Sequence, residues 1–268
     1  DGSRCGFGGC YYNRPADRTD DFNELSARAG ISTTLDSINY FAQISLGFRP
    51  PQINEAYRLQ KKQNVTDLDS ETLTMFEFGS KFELESLMGS LSFYQSKKKN
   101  SIFRDSQNFI VDNGKTDHKG VELSLSIFVN LRNTINANIT YGDHRYDFET
   151  DTSMREKIRV DNKIDTAPKI MANLLWNINL NDDSNLSLEI EHMDSYYTDA
   201  ANLHEYEGHT LYHARFNREF SESLKGYLRI ENLTDKRYAE RADFNAFGGD
   251  RYFPGLPREV YVGLEYNF

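Results

Sequence analysis

Cations and aromatic rings recur in the stretches of this sequence that connect predicted strands, and these side chains could bind a ligand. Guanidinium groups pair with oxyanions, and aromatic rings stack on planar groups. We therefore expect them to bind an anionic ligand that contains rings, although a solvated loop position is the alternative for each one. The candidate ligand-binding residues are Arg104, Arg145, Tyr146, Tyr196, Tyr197, His204, Tyr206, Arg251 and Tyr252.

Histidines and cysteines offer further chemistry. His192 and His209 belong to neighbouring predicted strands and could converge with Met193 and His204 on a metal ion or haem, but isolated loop histidines are more often only polar, and we predict no metal site. Two more residues, Cys5 and Cys10, lie in a glycine-rich stretch with no histidine before His118. A local disulfide is the favoured interpretation over free thiols.

Catalytic motifs are missing from the sequence. It contains no Gly-x-Ser-x-Gly, no paired histidine motif and no phosphate-binding loop. An enzyme with a serine–histidine set could use His209 and His213, but no serine motif accompanies them. A net charge of -10 also argues against nucleic-acid binding, which needs a basic surface. The sequence therefore predicts neither an enzyme nor a nucleic-acid-binding protein.

The elements that must position these residues are strands. The mean hydropathy is -0.68, and no apolar run approaches the ~20 residues of a membrane-spanning helix. Membrane strands need only ~9–11 residues, of which half are apolar. Eleven segments alternate apolar and polar residues. They are Phe22 to Ser32, Ile38 to Phe48, Glu71 to Glu83, Met88 to Lys98, one from Asp117 to Ile127, those around Ile139, Trp176, Ile190, Phe216 and Ile230, and Arg258 to Phe268.

The connections between these segments alternate in length. Short connections are predicted at 33–37, 84–87, 131–133, 179–183 and 221–223, and long ones at 49–70, 99–116, 142–163, 194–207 and 232–257. Strict alternation places all long connections at one end of the sheet, as in outer-membrane barrels. A soluble β-sandwich also alternates apolar and polar residues, but nothing sorts its loops by length. We therefore predict an all-β protein, a transmembrane antiparallel β-barrel.

Eleven strands cannot close a bacterial barrel, because such barrels have an even strand number and an open edge in lipid leaves backbone groups unpaired. Barrels of ~22 strands are the class with a plugged lumen. We therefore predict that residues 22–268 form the carboxy-terminal half of a barrel of about 22 strands. Residues 1–21, with Cys5 and Cys10, are predicted to be an extracellular loop segment, and the amino-terminal half, with the plug, to lie outside this sequence.

Aromatic residues near the predicted strand ends indicate girdles at the boundary between lipid and water. The predicted girdle residues are Tyr40, Phe48, Phe82, Tyr141, Trp176, Tyr196, Tyr197, Tyr212 and Tyr266. In the last strand, Val260, Val262, Leu264, Tyr266 and Phe268 are expected to face lipid, and Glu259 and Glu265 the lumen. The run Lys97-Lys-Lys99 at a strand end is a basic patch that could contact lipopolysaccharide phosphate.

Several ordered motifs resemble those of TonB-dependent outer-membrane receptors. They are Gly47-Phe-Arg-Pro-Pro-Gln-Ile-Asn-Glu55, Lys119-Gly-Val-Glu122, Ala167-Pro-Lys169, Tyr197-Thr-Asp-Ala-Ala-Asn202, Asn232-Leu-Thr-Asp-Lys-Arg-Tyr-Ala-Glu-Arg-Ala-Asp243 and Arg251-Tyr-Phe-Pro-Gly-Leu-Pro-Arg258. The resemblance implies a 22-stranded barrel with an amino-terminal plug in the outer membrane of a Gram-negative bacterium. It also implies active uptake, powered by the TonB complex, of a ferric siderophore, haem, cobalamin or a sugar.

The favoured ligand is a ferric siderophore, and the alternatives are those other nutrients, or a passive porin or barrel adhesin. One conflict concerns charge, because the acids Asp143, Asp147, Glu149, Asp151 and Asp250 share the loops with the candidate cations. An acidic mouth would repel an anion. We therefore expect Arg145 and Arg251 to face inward above the lumen and the acids to face outward.

Overall fold

The computed structural model describes residues 5–6, 9–10, 12–13, 19–57, 59–60, 68–150 and 156–268. One short helix, α1 (Ile53–Tyr57), accompanies the strands of this part of the chain. In chain order the strands are β1 (Cys5–Gly6), β2 (Gly9–Cys10), β3 (Tyr12–Asn13), β4 (Ala27–Leu35), β5 (Ile38–Arg49), β6 (Leu59–Gln60), β7 (Glu71–Leu84), β8 (Leu87–Arg104), β9 (Ile110–Asn130), β10 (Asn133–Tyr146), β11 (Ile170–Asn181), β12 (Ser184–Met193), β13 (Tyr196–Tyr197), β14 (Glu205–Tyr206), β15 (His209–Ser221), β16 (Leu224–Glu231), β17 (Ala239–Asn245), β18 (Gly249–Pro254) and β19 (Glu259–Tyr266).

Eleven of these strands form one antiparallel sheet in which each strand pairs with its neighbours in sequence. The order is β4, β5, β7, β8, β9, β10, β11, β12, β15, β16 and β19. The prediction of eleven strands is confirmed. Five two-residue turns join strand pairs at one end of the sheet, at 36–37, 85–86, 131–132, 182–183 and 222–223, and the other connections all lie at the opposite end. We call these the turn end and the loop end.

The register brings most of the apolar residues of the eleven strands onto one face, while Phe41, Leu211 and Tyr227 are among those on the other. Val262 lies opposite Leu228, Leu228 opposite Phe216, and Phe216 opposite Leu186. The pairing of apolar residues continues in the strands toward β4, where Phe93 of β8 lies opposite Phe78 of β7. The neighbouring positions along each strand, among them serines, asparagines and glutamates, occupy the other face. We call the two faces outward and inward.

Aromatic residues mark both borders of the outward apolar band, which confirms the prediction for seven of nine girdle residues. Tyr40, Phe82, Trp176 and Tyr266 lie near the turn end, and Phe48, Tyr141 and Tyr212 near the loop end. Tyr40 and Phe48 are eight residues apart on β5, which at ~3.3 Å per residue and a tilt of ~40° gives an apolar band roughly 20 Å tall. Tyr196 and Tyr197 belong to β13 in a connection, so their assignment to the girdle is wrong.

Two predicted boundaries also differ from the structure. The first strand is Ala27–Leu35 and not Phe22 to Ser32, because the tight turn at Asp36, which has a φ of 53°, allows Leu35 to pair with Ile38. The predicted long connection at 99–116 is mostly strand, because β8 and β9 continue to pair as far as Arg104 and Ile110. This part of the hairpin lies beyond the apolar band, and its strand pairing contains register shifts at Ser101 and Phe103.

Buried apolar side chains cluster at the loop end. One cluster joins Tyr196, Tyr206, Ala239 and Ala242, and another joins Tyr146, Ile158 and Ala200 with Phe103 and Phe148. The long connections are thus packed against each other. No helix among the described residues is long and apolar enough to cross a membrane.

Candidate functional site

The loop end is a connected layer held by buried side chains that accept hydrogen bonds from backbone amides. Glu156 accepts from Ser106 N (2.9 Å) and Ala201 N (2.8 Å), so its carboxylate joins the connections at 105–109, 147–169 and 194–208. Asp199 accepts from the amides of Leu203 (2.9 Å) and His204 (2.8 Å). Four strands lie between β9 and β16 in the sheet, yet Ala246 N bonds to Ser106 O at 3.0 Å. The layer therefore ties together distant parts of the wall.

Asn202 fixes a further contact between two connections. Its backbone φ is 59°, a left-handed conformation that asparagine tolerates. Its side-chain oxygen accepts from Lys163 N (2.6 Å), and its amide donates to Lys163 O (2.8 Å). This explains why an asparagine ends the motif Tyr197-Thr-Asp-Ala-Ala-Asn202.

Three candidate tyrosines form the framework of this layer. Tyr196 is 6 % exposed, and its hydroxyl accepts from Ala242 N at 2.8 Å. Tyr206 is 8 % exposed, with its hydroxyl 3.0 Å from Ala239 N. Tyr146 is 4 % exposed and donates to Asp165 Oδ1 at 2.6 Å. Burial raises the pKa of Asp165, an effect that the Tyr146 hydroxyl opposes. The little exposed surface of these rings leaves them a supporting role.

A pair of arginines on the hairpin of β17 and β18 is the most ligand-like feature of the layer. The Asp243 carboxylate, with its side chain 9 % exposed, accepts from Arg241 Nη2 (2.8 Å) and Arg251 Nε (2.6 Å). The two arginine side chains are 64 % and 50 % exposed. Phe253, half exposed, lies opposite Arg241, whose guanidinium is 5.5 Å from the ring centroid. One carboxylate thus positions two guanidinium groups whose other N–H donors are available to an oxyanion.

The opposite face of this hairpin carries Tyr252 of β18 and contacts His204. The His204 ring stacks on Phe244 at 3.7 Å between centroids, and its Nδ1 lies 3.2 Å from Asp250 Oδ1. Tyr252 is 56 % exposed, with its ring centroid 6.4 Å from that of Tyr206. Tyr197 lies close by on β13, and its carbonyl accepts from Thr166 N.

Arg241, Asp243, Phe244 and Phe253 were missing from the predicted site. The pairing of β17 with β18 brings them together, with Asp243 opposite Arg251 and Arg241 opposite Phe253. The sequence predicted one long connection at 232–257, so the hairpin of β17 and β18 within it was not predicted.

The other two candidate arginines lie elsewhere. Arg104 ends β8, where Nη1 donates to Asn108 O (3.0 Å) and Nη2 to Asn54 O (3.3 Å). Arg145 has the same side-chain parity as Tyr141 and lies opposite Asp117, so it faces outward. Its Nε donates to Asp143 at 2.9 Å. The expectation that Arg145 faces the lumen is wrong, because strand alternation continues beyond Tyr141.

The basic run at 97–99 also divides between the faces. Lys97 and Lys99 point outward, opposite Thr74 and Thr72, whereas Lys98 points inward and pairs with Glu71 at 2.9 Å. The three lysines therefore do not form one contiguous basic patch.

His192, His204 and His209 do not gather into one site. His192 lies opposite Thr210 and bonds to its hydroxyl at 2.9 Å, whereas His209 occupies the other face opposite Met193. His192 and His209 therefore do not converge. His209 bonds to the Tyr206 hydroxyl at 2.9 Å, and His213 contacts Glu231. Within the described ranges, no group of three or more His, Cys, Asp or Glu side chains could hold a metal ion.

The motif that begins at Asn232 closes the last long connection. Asn232 is 2 % exposed, has a φ of 49°, donates to Lys236 O (2.9 Å) and Leu256 O (3.2 Å), and accepts from Lys236 N (2.9 Å). A side chain at Gly255 would lie 2.1 Å from the Tyr238 ring. The two carboxy-terminal motifs are therefore parts of one packed junction.

Cys5 and Cys10 are directly opposite each other in the pairing of β1 with β2. Their side chains, like Asp151 and most of residues 1–18, lie outside the described residues. The disulfide stays a prediction.

Comparison with known proteins identifies the fold. Residues 7–233 match the family described as TonB dependent receptor-like, beta-barrel. The comparison with curated proteins gives no match. Among solved structures, the siderophore receptor PiuA from Acinetobacter baumannii aligns with a TM-score of 0.75 at 19 % identity, covering 89 % of this chain and 35 % of that one.

Two other solved structures align with this chain and are named for different substrates. The ferric-catecholate import receptor Fiu from E. coli K12 has a TM-score of 0.72 at 18 % identity over 90 % of this chain and 34 % of its own. The copper transporter OprC has a TM-score of 0.71 at 17 % identity over 91 % and 39 %. The chain spans a little over a third of the length of these structures. Because the family match covers most of the 268 residues and the eleven-stranded sheet has the matching architecture, the chain belongs to the TonB-dependent receptor β-barrel family and forms a partial transmembrane barrel.

Proposed function

We propose that this chain is the carboxy-terminal half of the barrel of an outer-membrane active transporter in a Gram-negative bacterium. The amino-terminal half would supply the remaining strands and the plug, and the TonB complex would supply energy through that half. Family membership and the outward apolar band support this proposal. Lipid and lipopolysaccharide would surround the outward face.

The proposed substrate is a ferric siderophore. The observation that carries this choice is the pair Arg241 and Arg251 held by Asp243 beside the exposed Phe253 ring. Guanidinium groups bind oxyanions in a fixed geometry, and an aromatic ring favours a planar ligand. The Phe253 ring lies on the same face of the hairpin as the two arginines, whereas Tyr252 and the His204 ring stacked on Phe244 lie on its other face.

Binding to the complete receptor tests the substrate class. We expect saturable binding of a ferric triscatecholate that is weakened about 100-fold or more in the double variant Arg241→Ala/Arg251→Ala, because each of the two arginines would lose a charge-assisted hydrogen bond that contributes ~1.5–3 kcal/mol. Arg218→Ala is the matched control, since Arg218 lies at the turn end over the Phe220 ring. Tight binding of haem, cobalamin or an oligosaccharide without siderophore binding would overturn the choice.

A passive porin or adhesin is the alternative that uses the same wall. Uptake by an active transporter stops when the proton gradient of the inner membrane is collapsed, whereas passive diffusion continues. Uptake of the ferric siderophore that persists after addition of an uncoupler would therefore favour the porin. We propose no catalytic activity, because the proteins of this family are transporters. Among the described residues, the contacts of His209 and His213 are with Tyr206, Glu191 and Glu231 and not with a serine hydroxyl.

A further inference from the structure

A cluster of charged side chains lies on the outward face directly above the apolar band. The top apolar row contains Phe93, Val121 and Tyr141, which are register partners across β8, β9 and β10. The next outward row toward the loop end contains Gln95, Lys119 and Asp143, and the row after it contains Lys97, Asp117 and Arg145. Lys163 joins Arg145 through an isolated bridge. We call Lys97, Lys119, Arg145 and Lys163 the outward cation cluster.

Two aspartates hold this cluster in place without neutralising it. Asp117 lies 3.7 Å from Lys97 Nζ and 3.9 Å from Lys119 Nζ. Asp143 contacts Arg145 at 2.9 Å and also Lys163. The lysines at 97 and 119 remain 56 % and 59 % exposed, and Arg145 and Lys163 38 % and 34 %. Four cations against Asp117, Asp143 and the nearby Asp161, whose carbonyl accepts from Arg145, leave an excess of one positive charge.

The height of the cluster matches a membrane surface. Tyr141 is a loop-end girdle residue, and Lys169 Nζ lies 5.3 Å from the centroid of its ring. Successive rows on one face are about 7 Å apart, so the cluster begins within about 7 Å of the girdle. Cations that face sideways at this height meet lipid headgroups rather than the lumen or the bulk solvent.

We propose that the outward cation cluster binds the phosphate groups of lipopolysaccharide in the outer leaflet. Lysine ammonium groups and a guanidinium group are suited to phosphate. The whole chain carries a net charge of -10, so a local excess of cations at the lipid boundary is opposite to the general trend of the chain. The inference rests on the proposed location in the outer membrane, and it assigns a surface distinct from the arginine pair on Asp243.

The test compares complete receptors purified in detergent. The double variant Lys97→Gln/Lys119→Gln removes the two most exposed cations, whose long ion pairs contribute little to folding. Lys81→Gln/Lys225→Gln makes the same charge change on the inward face, since Lys81 lies opposite Asn39 and Lys225 opposite Glu265. The probes are bisphosphorylated lipid A, lipid A with its phosphates removed, and inorganic phosphate.

We expect the outward double variant to bind bisphosphorylated lipid A at least ten-fold more weakly than the wild type and the inward control, because each cation near an anionic lipid surface contributes about a five-fold effect. Dephosphorylated lipid A should not distinguish the variants. Equal affinity of all three receptors for bisphosphorylated lipid A would overturn the inference and leave the transport proposal intact. Competition by inorganic phosphate at the affinity of the lipid would identify free phosphate as the ligand and would also overturn it. A wild-type receptor absent from the outer-membrane fraction would overturn both.

Discussion

At the scale of single residues, Glu71 shows how the wall joins the loop layer. It is 3 % exposed and accepts from Ile102 N at 2.7 Å, from Arg49 and from Lys98 at 2.9 Å. Arg49 also pairs with Glu55 in α1 at 3.0 Å. Burial alone would raise the pKa of Glu71, but the hydrogen bonds from Arg49, Ile102 and Lys98 outweigh it and lower the pKa to about 2. Glu71 begins β7, just beyond the girdle residue Phe48, so this network lies above the apolar band.

The Glu71 network predicts a pH-dependent stability. A carboxyl whose folded pKa lies below its ordinary value of 4.5 stabilises the fold above about pH 4.5, and this contribution is lost as the pH falls toward 2. Glu71→Gln should therefore destabilise the complete receptor by about 1–3 kcal/mol near pH 7. The difference from wild type should shrink below pH 4. Guanidinium unfolding midpoints at several pH values measure it.

Glu83→Gln is the matched control for this prediction, because Glu83 is an exposed residue of β7 near the turn end. A loss for Glu71→Gln that is as large at pH 3 as at pH 7 would mean that shape, and not charge, accounts for the role of Glu71.

At the scale of elements, β19 carries the clearest signature of a lipid-facing strand. Val260, Val262, Leu264 and Tyr266 share one face with Leu228 of β16, and each is more than half exposed. Glu259 and Glu265 lie on the other face, opposite Glu231 and Lys225. This arrangement agrees with the orientation predicted from the period of two.

Val262 lies near the middle of this apolar row, which makes it the position for a direct test. Val262→Arg should destabilise the complete receptor in lipid vesicles by about 2–4 kcal/mol, because a cation would replace an apolar side chain near the bilayer midplane. Ser32→Arg, on the inward face of β4 opposite Phe41, should cost far less. Equal losses for the two variants in an unfolding titration would contradict the assignment of the faces.

Alternation made most of the sheet predictable from the sequence, since each strand has one apolar face and each turn is short. The alternation of side chains also predicts that Arg145 faces outward. Ile139, Tyr141, Asp143 and Arg145 occupy every second position of β10 and so share one face. That orientation was missed when residues 142–163 were treated as a loop.

The hairpin extension of β8 and β9 was less accessible from the sequence. Asn100 and Asn113 have positive φ values there, and register shifts interrupt the period of two beyond Lys98. The site residues Arg241 and Asp243 depend on the pairing of β17 with β18 and on buried carboxylates that join separate connections, which no local pattern encodes.

At the scale of the whole molecule, the sheet has two edges. In the described part of the chain, β4 and β19 each pair on one side only. Unpaired backbone groups in lipid cost several kcal/mol each. Closure therefore requires further strands, which we expect from the amino-terminal half of the receptor.

Closure can be followed by the change in electrophoretic mobility that closed barrels show on heating. We expect this change for the complete receptor and not for residues 1–268 expressed alone. A heat-modifiable monomer formed by residues 1–268 would contradict the need for additional strands.

The sheet separates lipid on its outward face from water on its inward face, and labelling of single cysteines in the complete receptor tests this separation most directly. Three pairs of sequence neighbours, each in a separate strand, place their two side-chain positions on opposite faces. They are Ser124 and Leu125, Ser187 and Leu188, and Gly263 and Leu264. A lipid-soluble thiol reagent should label cysteines at 125, 188 and 264 in native outer membranes, and cysteines at 124, 187 and 263 should remain unlabelled by it. Labelling that does not alternate, or that favours 124, 187 and 263, would contradict the assignment of the two faces.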